Sequence, residues 1–171
     1  MAIVGSALVL SLALSGCSML ADIIGDDSDP QRNADNQVTE DARIDIFSLS
    51  VSDCIPAFDS AGDITQIDVV PCADPHSDEV FFEFELTTDH LPAEEEMLTE
   101  IEAQCVPAFA EFVGTDYFES ALALRWITPT EDTWTQANDR LVQCMIYEPD
   151  PKDTTGMTAL DVTGSFKGSA R

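Results

Sequence analysis

The sequence predicts an α+β domain in which an antiparallel sheet of about five strands packs against one main helix, with two disulfide bonds. Apolar and polar residues alternate along several short segments, which is typical of half-buried strands. One longer segment instead has apolar residues at helical spacing. Because strand–helix–strand units do not repeat along the chain, a doubly wound parallel sheet is not expected.

The strands are predicted from this alternation, which is clearest over residues 79–86. One face of that strand carries Val80, Phe82, Phe84 and Leu86, and the other carries Glu79, Phe81, Glu83 and Glu85. Residues 129–139 are predicted to form a turn region with a helical turn at 131–136. In chain order, strands or short extended segments are predicted at 43–49, 51–55, 64–71, 79–86, 120–128 and 140–147.

The helix is predicted to begin at Pro92 and to end at Gly114. Proline is favoured in the first turn, and the acids at 94–96 suit the positive end of the helix dipole. Glycine is a good C-terminal cap. Pro107 lies within the helix, so a kink or a break is expected there. The predicted apolar face consists of Met97, Ile101, Cys105, Ala108 and Phe112.

Residues 1–16 are predicted to be a lipoprotein signal peptide. The apolar run 2–14 has the length of a signal-peptide core and is too short to span a bilayer. It ends in Leu14-Ser15-Gly16-Cys17, which resembles a bacterial lipobox. Cys17 would receive a diacylglyceryl thioether and become the first mature residue. Two or three acyl chains, such as palmitate, would hold the protein stably on the extracytoplasmic face of the cell membrane.

The charge of the chain limits its partners. There are 33 acidic and 7 basic residues, which gives a formal net charge of −26. Such a chain is not expected to bind nucleic acid, which requires clustered Lys and Arg, or to dock electrostatically on anionic lipid. Acidic and polar residues dominate 17–44, which is predicted to be the lipidated cysteine followed by a disordered linker. Residues 45–171 are predicted to form the domain.

Four cysteines follow Cys17, and export favours their oxidation to disulfides. Four cysteines allow three pairings. Cys54 and Cys72 flank neighbouring extended segments, whereas Cys105 on the helix and Cys144 on a strand both face the core. The favoured pairing is therefore Cys54–Cys72 with Cys105–Cys144. A metal or redox site is not expected, because there is no Cys-x-x-Cys and no histidine has ligand spacing; no cofactor is expected either.

Several motifs together resemble the septum-formation domain family. They are Val51–Cys54, Val70–Val80, Cys105 in a helix after Leu91-Pro92, the series Trp134, Asp139-Arg140 and Cys144, and Thr163–Gly168. Members of that family are exported or membrane-anchored proteins of high-GC Gram-positive bacteria. The resemblance implies an extracytoplasmic domain with paired cysteines and a link to the septum or envelope. It implies no catalytic residues. The chain departs from the family pattern at Ser52 and Asn138, where glycine is usual.

The motif residues are predicted to be structural rather than catalytic. His76, which follows Pro75, is expected to tie its loop to the nearby disulfide by hydrogen bonds, and not to act as a general base or metal ligand. Arg140 is expected to pair with an acid, and Asp139 to bond the turn backbone. Core or rim packing is expected for Trp126. The predicted framework residues are Asp53, Pro75, His76, Glu79, Trp134, Asp139 and Arg140.

The function that this sequence favours is a lipid-anchored, non-enzymatic envelope module that binds another protein or a wall component. One alternative is a wall hydrolase that uses paired carboxylates such as Asp74 and Glu79. Another is a calcium-binding lipoprotein that collects cations at acid runs such as 94–96. Those runs lack the spacing and the glycine of an EF-hand loop, so a solvated helix face is the simpler interpretation.

Overall fold

A computed structural model describes residues 30–58 and 64–171 of the chain. The signal peptide predicted at 1–16 and the lipidation site Cys17 lie outside these residues. The predicted α+β class is confirmed, and so are the disulfides Cys54–Cys72 and Cys105–Cys144. The described elements are β1 (Ala42–Asp45), β2 (Cys54–Ile55), β3 (Gln66–Val69), β4 (Asp78–Glu85), α1 (Glu94–Val113), β5 (Ala123–Ile127) and β6 (Leu141–Tyr147).

The strands form two antiparallel sheets rather than one. A four-stranded sheet has the order β2-β4-β6-β5, and β1 pairs with β3 in a separate two-stranded sheet. Helix α1 packs on one face of the larger sheet, around Ile101, Phe109 and Val142. The small sheet contributes to a second core on β4 and β6, around Val80 and Met145. The described residues therefore form three layers with two main cores, and a small third cluster surrounds the Cys54–Cys72 disulfide.

Strand β4 does not keep a single alternation, which corrects the predicted faces. A bulge shifts the pairing with β6 between Val80 and Phe82. As a result Val80 belongs to the core under the small sheet, whereas Phe82, Phe84 and Leu86, which were predicted to share its face, join Phe81 in the core under α1. Glu79, which was predicted to share a face with Phe81, does so, but it is fully buried. An extra residue in one strand locally reverses the facing of side chains, and period-two counting does not detect it.

Helix α1 ends at Gly114, as predicted. A kink or a break was predicted at Pro107, and the helix continues through this residue without a break. Gly114 has φ 89°, and its N–H donates to the carbonyl of Ala110 at 3.0 Å. Pro107 is exposed. Proline has no backbone N–H, so one helical hydrogen bond is missing at this position, but the missing bond lies on the solvent-exposed side of the helix. The buried face is Met97, Ile101, Cys105, Phe109 and Val113, a strict four-residue spacing in which Phe109 and Val113 replace the predicted Ala108 and Phe112.

Residues 30–44 were assigned to the linker, and in the structure they pack against the domain. Arg32 and Val38 form a β-bridge, and Val38 is only 2% exposed in the core under the small sheet. The packed unit therefore begins upstream of residue 45. The polar, acidic composition of this segment predicted a linker, and the burial of its apolar residue Val38 was not recognised. No helix within the described residues is long and apolar enough to cross a membrane.

Candidate functional site

The carboxyl group of Glu79 fastens the C-terminal segment to β4. Glu79 is 0% exposed. The hydroxyl of Ser165 donates to its Oε1 at 2.6 Å, and the backbone N–H of Phe166 donates to Oε2 at 2.6 Å. Burial raises the pKa of Glu79 to about 7, against the opposing effect of these hydrogen bonds and of Lys167. Phe166 is then held in the core beneath α1.

His76 ties the loop before β4 to the same C-terminal segment. Its backbone N–H and carbonyl exchange hydrogen bonds with Val162 at 2.9 and 2.8 Å. Ring Nδ1 lies 2.8 Å from the carbonyl oxygen of Asp74, so Nδ1 carries the proton and donates it. The ring meets the edge of Phe166 at 6.2 Å between centroids. Burial lowers the pKa of His76, which favours neutral imidazole.

His76 was predicted to bond its loop to the nearby disulfide, but its hydrogen-bond partners are Asp74 and Val162. The disulfide loop reaches the C-terminal segment by another bond, in which the N–H of Gly164 donates to the carbonyl of Cys72 at 2.6 Å. His76 Nε2 is buried and has no hydrogen-bond partner among the described residues. Pro75, next to it, is exposed.

Asp53 is the second buried motif acid, and it holds the segment upstream of β1. Arg32 pairs with both carboxylate oxygens, and Arg32 Nη2 lies 3.0 Å from Oδ2. The backbone N–H of Ser50 also donates to Oδ2 at 2.9 Å. A bidentate arginine is the partner that a buried carboxylate needs. Ser52, the preceding residue, has φ 79°, a left-handed conformation that glycine adopts without strain.

The turn before β6 is built from Trp134, Asp139 and Arg140. Asp139 accepts from the N–H of Leu141 and from the hydroxyl of Thr133, both at 3.0 Å. Arg140 donates to the carbonyls of Asp139 and Trp134 at 2.7 and 3.2 Å, and its guanidinium lies 3.4 Å over the Trp134 ring. Asn138 supplies the left-handed turn, with φ 54°.

Arg140 was expected to pair with an acid, and among the described residues it does not. Two backbone carbonyls and the face of an indole satisfy its guanidinium instead. The indole and one of the carbonyls belong to Trp134 in the π-helical turn Thr133–Ala137, and the other carbonyl is that of the neighbouring Asp139. A count of acids and bases does not reveal such backbone acceptors.

A buried ion pair between Asp78 and Arg125 was not predicted from the sequence. Arg125 Nε lies 3.0 Å from Asp78 Oδ1, although no donor is aligned with that oxygen for a hydrogen bond. The guanidinium lies 3.9 Å from the centroid of the Tyr147 ring. Burial raises the pKa of Asp78, and the hydroxyl of Ser77 and Arg125 oppose that effect. The available signal was that Arg125 is a rare base within a strand.

The paired carboxylates of the hydrolase alternative are not presented at one surface. Asp74 is exposed, whereas both oxygens of Glu79 are buried and hydrogen-bonded. A cluster of potential metal ligands consists of Cys54, Cys72 and Glu79, whose ligand atoms lie within 4.8 Å of one another. Since the two sulfurs form a disulfide, they offer no thiolate to a cation.

Two depressions flank Trp126, which is 39% exposed at the edge of the sheet. One, of about 180 Å³, lies on the side of the small sheet and includes Ile46, Asp139 and Gln143. The other, here named the α1–β5 groove, has a volume of about 740 Å³. Its walls are formed by Leu98, Thr99, Ile101, Glu102, Ala103 and Val106 of α1, by Tyr117 and Phe118, and by Leu124 and Trp126 of β5.

The fold and these contacts define a disulfide-linked α+β domain in which the motif residues Asp53, His76 and Glu79 are buried. The chain belongs to the septum formation family, whose model matches residues 51–170. That match extends from the residues before β2 to the C-terminal segment that Glu79 holds. The family description connects the domain with septum formation. No curated protein and no solved structure matches the chain.

Proposed function

We propose that this protein is a lipid-anchored, extracytoplasmic binding module that acts in septum formation without catalysing a reaction. The septum connection follows from the family. The acyl anchor follows from the Leu14–Cys17 lipobox and the apolar run before it. The domain would bring an envelope protein or a wall component to the membrane face.

The non-enzymatic part of the proposal is supported by the contacts of the motif side chains, which are engaged in hydrogen bonds and an ion pair within the fold. Asp53 is neutralised by Arg32, and Glu79 accepts from Ser165 and Phe166. His76 is engaged through its backbone and Nδ1. A general acid or base must reach a substrate proton within hydrogen-bond distance. Carboxylates enclosed and bonded in this way favour a framework role over hydrolysis of wall polymers.

The acidic segment after Cys17 supports a tether. A flexible chain of 27 residues has an r.m.s. reach of about 30 Å. Part of this segment packs against the domain through Val38, so a shorter stretch would serve as the tether and the domain would stay closer to the membrane. The domain itself would be repelled by anionic lipid, because the chain carries a net charge of −26.

The anchor is tested by comparing the full-length chain with Cys17→Ala, and with Ser18→Ala as the control. We expect the control to incorporate labelled palmitate and to be recovered in the membrane fraction, and Cys17→Ala to do neither. External protease should degrade the anchored protein in intact spheroplasts. A Cys17→Ala protein that is still labelled, trimmed and membrane-bound would refute the lipid anchor.

The absence of catalysis is tested on purified cell wall. We expect the full-length, oxidised chain to release no more soluble wall fragments than a buffer blank. Glu79→Gln gives the matched comparison, because it removes the carboxylate while keeping its shape. Fragment release by the wild type that disappears in a folded Glu79→Gln protein would refute the proposal in favour of a hydrolase.

A further inference from the structure

The α1–β5 groove exposes apolar side chains that a soluble domain would ordinarily cover. Phe118 is 82% exposed, Trp126 39% and Leu98 37%, and all three line this one groove. Three of the large apolar residues exposed among the described part of the chain are thus gathered in a single depression. Such clustering, unlike single scattered apolar residues, is typical of an interaction site.

One wall of the groove is the edge strand β5. The order β2-β4-β6-β5 leaves one edge of β5 without a partner strand among the described residues. An edge strand presents backbone N–H and C=O groups that an extended peptide can pair with, while alternate side chains of the peptide enter an adjoining groove. On this strand Leu124 and Trp126 face the groove, two residues apart.

The charge around the groove selects its occupant. A shallower depression of about 520 Å³ continues the groove, sharing Leu98, Thr99 and Glu102 and adding Ala93, Glu94 and Glu95. No residue that lines either depression is basic. A partner that places Lys or Arg beside the apolar contacts would therefore be attracted and oriented by these carboxylates.

The same charge argues against other occupants. A second copy of the chain would bring another −26 of net charge to the interface. The segment 18–29 of this chain contains no basic residue. Anionic lipid would likewise be repelled.

We propose that the α1–β5 groove binds an extended segment of a partner protein in which every second side chain faces the groove, and these groove-facing side chains are apolar in one half of the segment and basic in the other. The segment adds to the free edge of β5, inserts its apolar side chains between Phe118 and Trp126, and directs its basic side chains to Glu102 and the N-terminal turn of α1. This inference rests on the proposed binding function and specifies the partner class.

The test uses the full-length, oxidised chain and three synthetic nine-residue peptides. In the first, the five odd-numbered positions, which share one face of an extended peptide, carry phenylalanine or isoleucine at the first three and lysine at the last two, with threonine at the even-numbered positions. The second replaces both lysines by glutamate, and the third keeps the lysines and replaces two threonines by proline to block strand pairing. Fluorescence anisotropy of the labelled peptides measures affinity. We expect the first peptide to bind at least tenfold more tightly than either of the others, with an affinity that falls as salt is added.

Variants locate the site. Phe118→Ala and Glu102→Lys should each weaken binding of the first peptide at least fivefold. Glu111→Lys, which reverses an exposed charge on α1 outside the groove, should leave it within twofold. Equal binding of all three peptides, or equal binding by Phe118→Ala, would overturn the proposal. A dimer in sedimentation that Phe118→Ala dissociates would overturn it in favour of self-association. Anchoring and wall assays are unaffected by either result, so the proposed function is judged separately.

Discussion

Glu79 should make the domain more stable in mild acid than at neutral pH. Its folded pKa is about 7, compared with an ordinary value of 4.5. Because the folded protein binds this proton more tightly than the unfolded chain does, its contribution to stability is complete below pH 4.5. The contribution is lost as the pH rises through 7.

The size of this effect follows from the two pKa values. One pKa unit corresponds to 1.36 kcal/mol, so the separation between 4.5 and about 7 is worth roughly 3 kcal/mol in the free energy of unfolding. His76 contributes with the opposite sign. Its folded pKa is lowered, so the stability that it provides is present above pH 6.5 and is lost as the pH falls below that value.

The Glu79 contribution is isolated by comparing the wild type with Glu79→Gln. Urea unfolding at steps between pH 4.5 and 8 should show the wild type losing about 3 kcal/mol relative to the variant as the pH rises. Because both proteins contain His76, its contribution cancels in the difference between their free energies of unfolding. Glu85→Gln, an exposed acid on the same strand, is the control and should change this pH profile little. A wild-type-minus-Glu79→Gln difference that is constant with pH would refute the account of Glu79.

Three further predictions concern the framework. Arg32→Ala should lower the free energy of unfolding by about 3 kcal/mol in urea titrations, because it leaves the buried carboxylate of Asp53 without its cation. Ser52→Gly should raise it by about 0.5–1 kcal/mol, because glycine adopts φ 79° without strain. Cys144→Ser should lower it by about 2–5 kcal/mol, and thiol labelling after denaturation should then modify Cys105.

Each of these predictions has its own contrary result. Arg43→Ala removes an exposed ion pair and should cost less than about 1 kcal/mol. If it cost as much as Arg32→Ala, burial would not be the cause. A destabilised Ser52→Gly protein would mean that the serine side chain, not its backbone, matters. Labelling of Cys54 in Cys144→Ser would contradict the disulfide pairing.

The sequence predicted the fold class and the disulfides because both depend on local signals. Alternation located the strands, and Gly114 fixed the end of the helix. The division into two sheets was not predicted, since pairing partners are set by contacts distant in the chain. The bulge at Val80/Phe82 had no local signal, and it placed Val80 in a different core from Phe82 and Phe84.

The candidate site was predicted as a set of residues but not as a set of contacts. Asp53 was selected from its motif, yet its partner Arg32 stood in a segment whose composition indicated a linker. The contact of Glu79 with Ser165 spans 86 positions of the chain. Such contacts depend on how distant segments pack together in the tertiary structure, and composition carries no information about that packing.

If this domain acts by binding through its groove and not by chemistry at its motif, a groove variant should impair its cellular role more than a motif variant does. The most direct measurement is the septal enrichment of a fluorescent fusion to the full-length chain in growing cells. Wild type and Glu79→Gln should be enriched at the septum to the same degree, whereas Phe118→Ala should lose most of that enrichment at equal abundance. If septal enrichment were retained in Phe118→Ala and lost in a folded Glu79→Gln protein, binding through the groove would be contradicted.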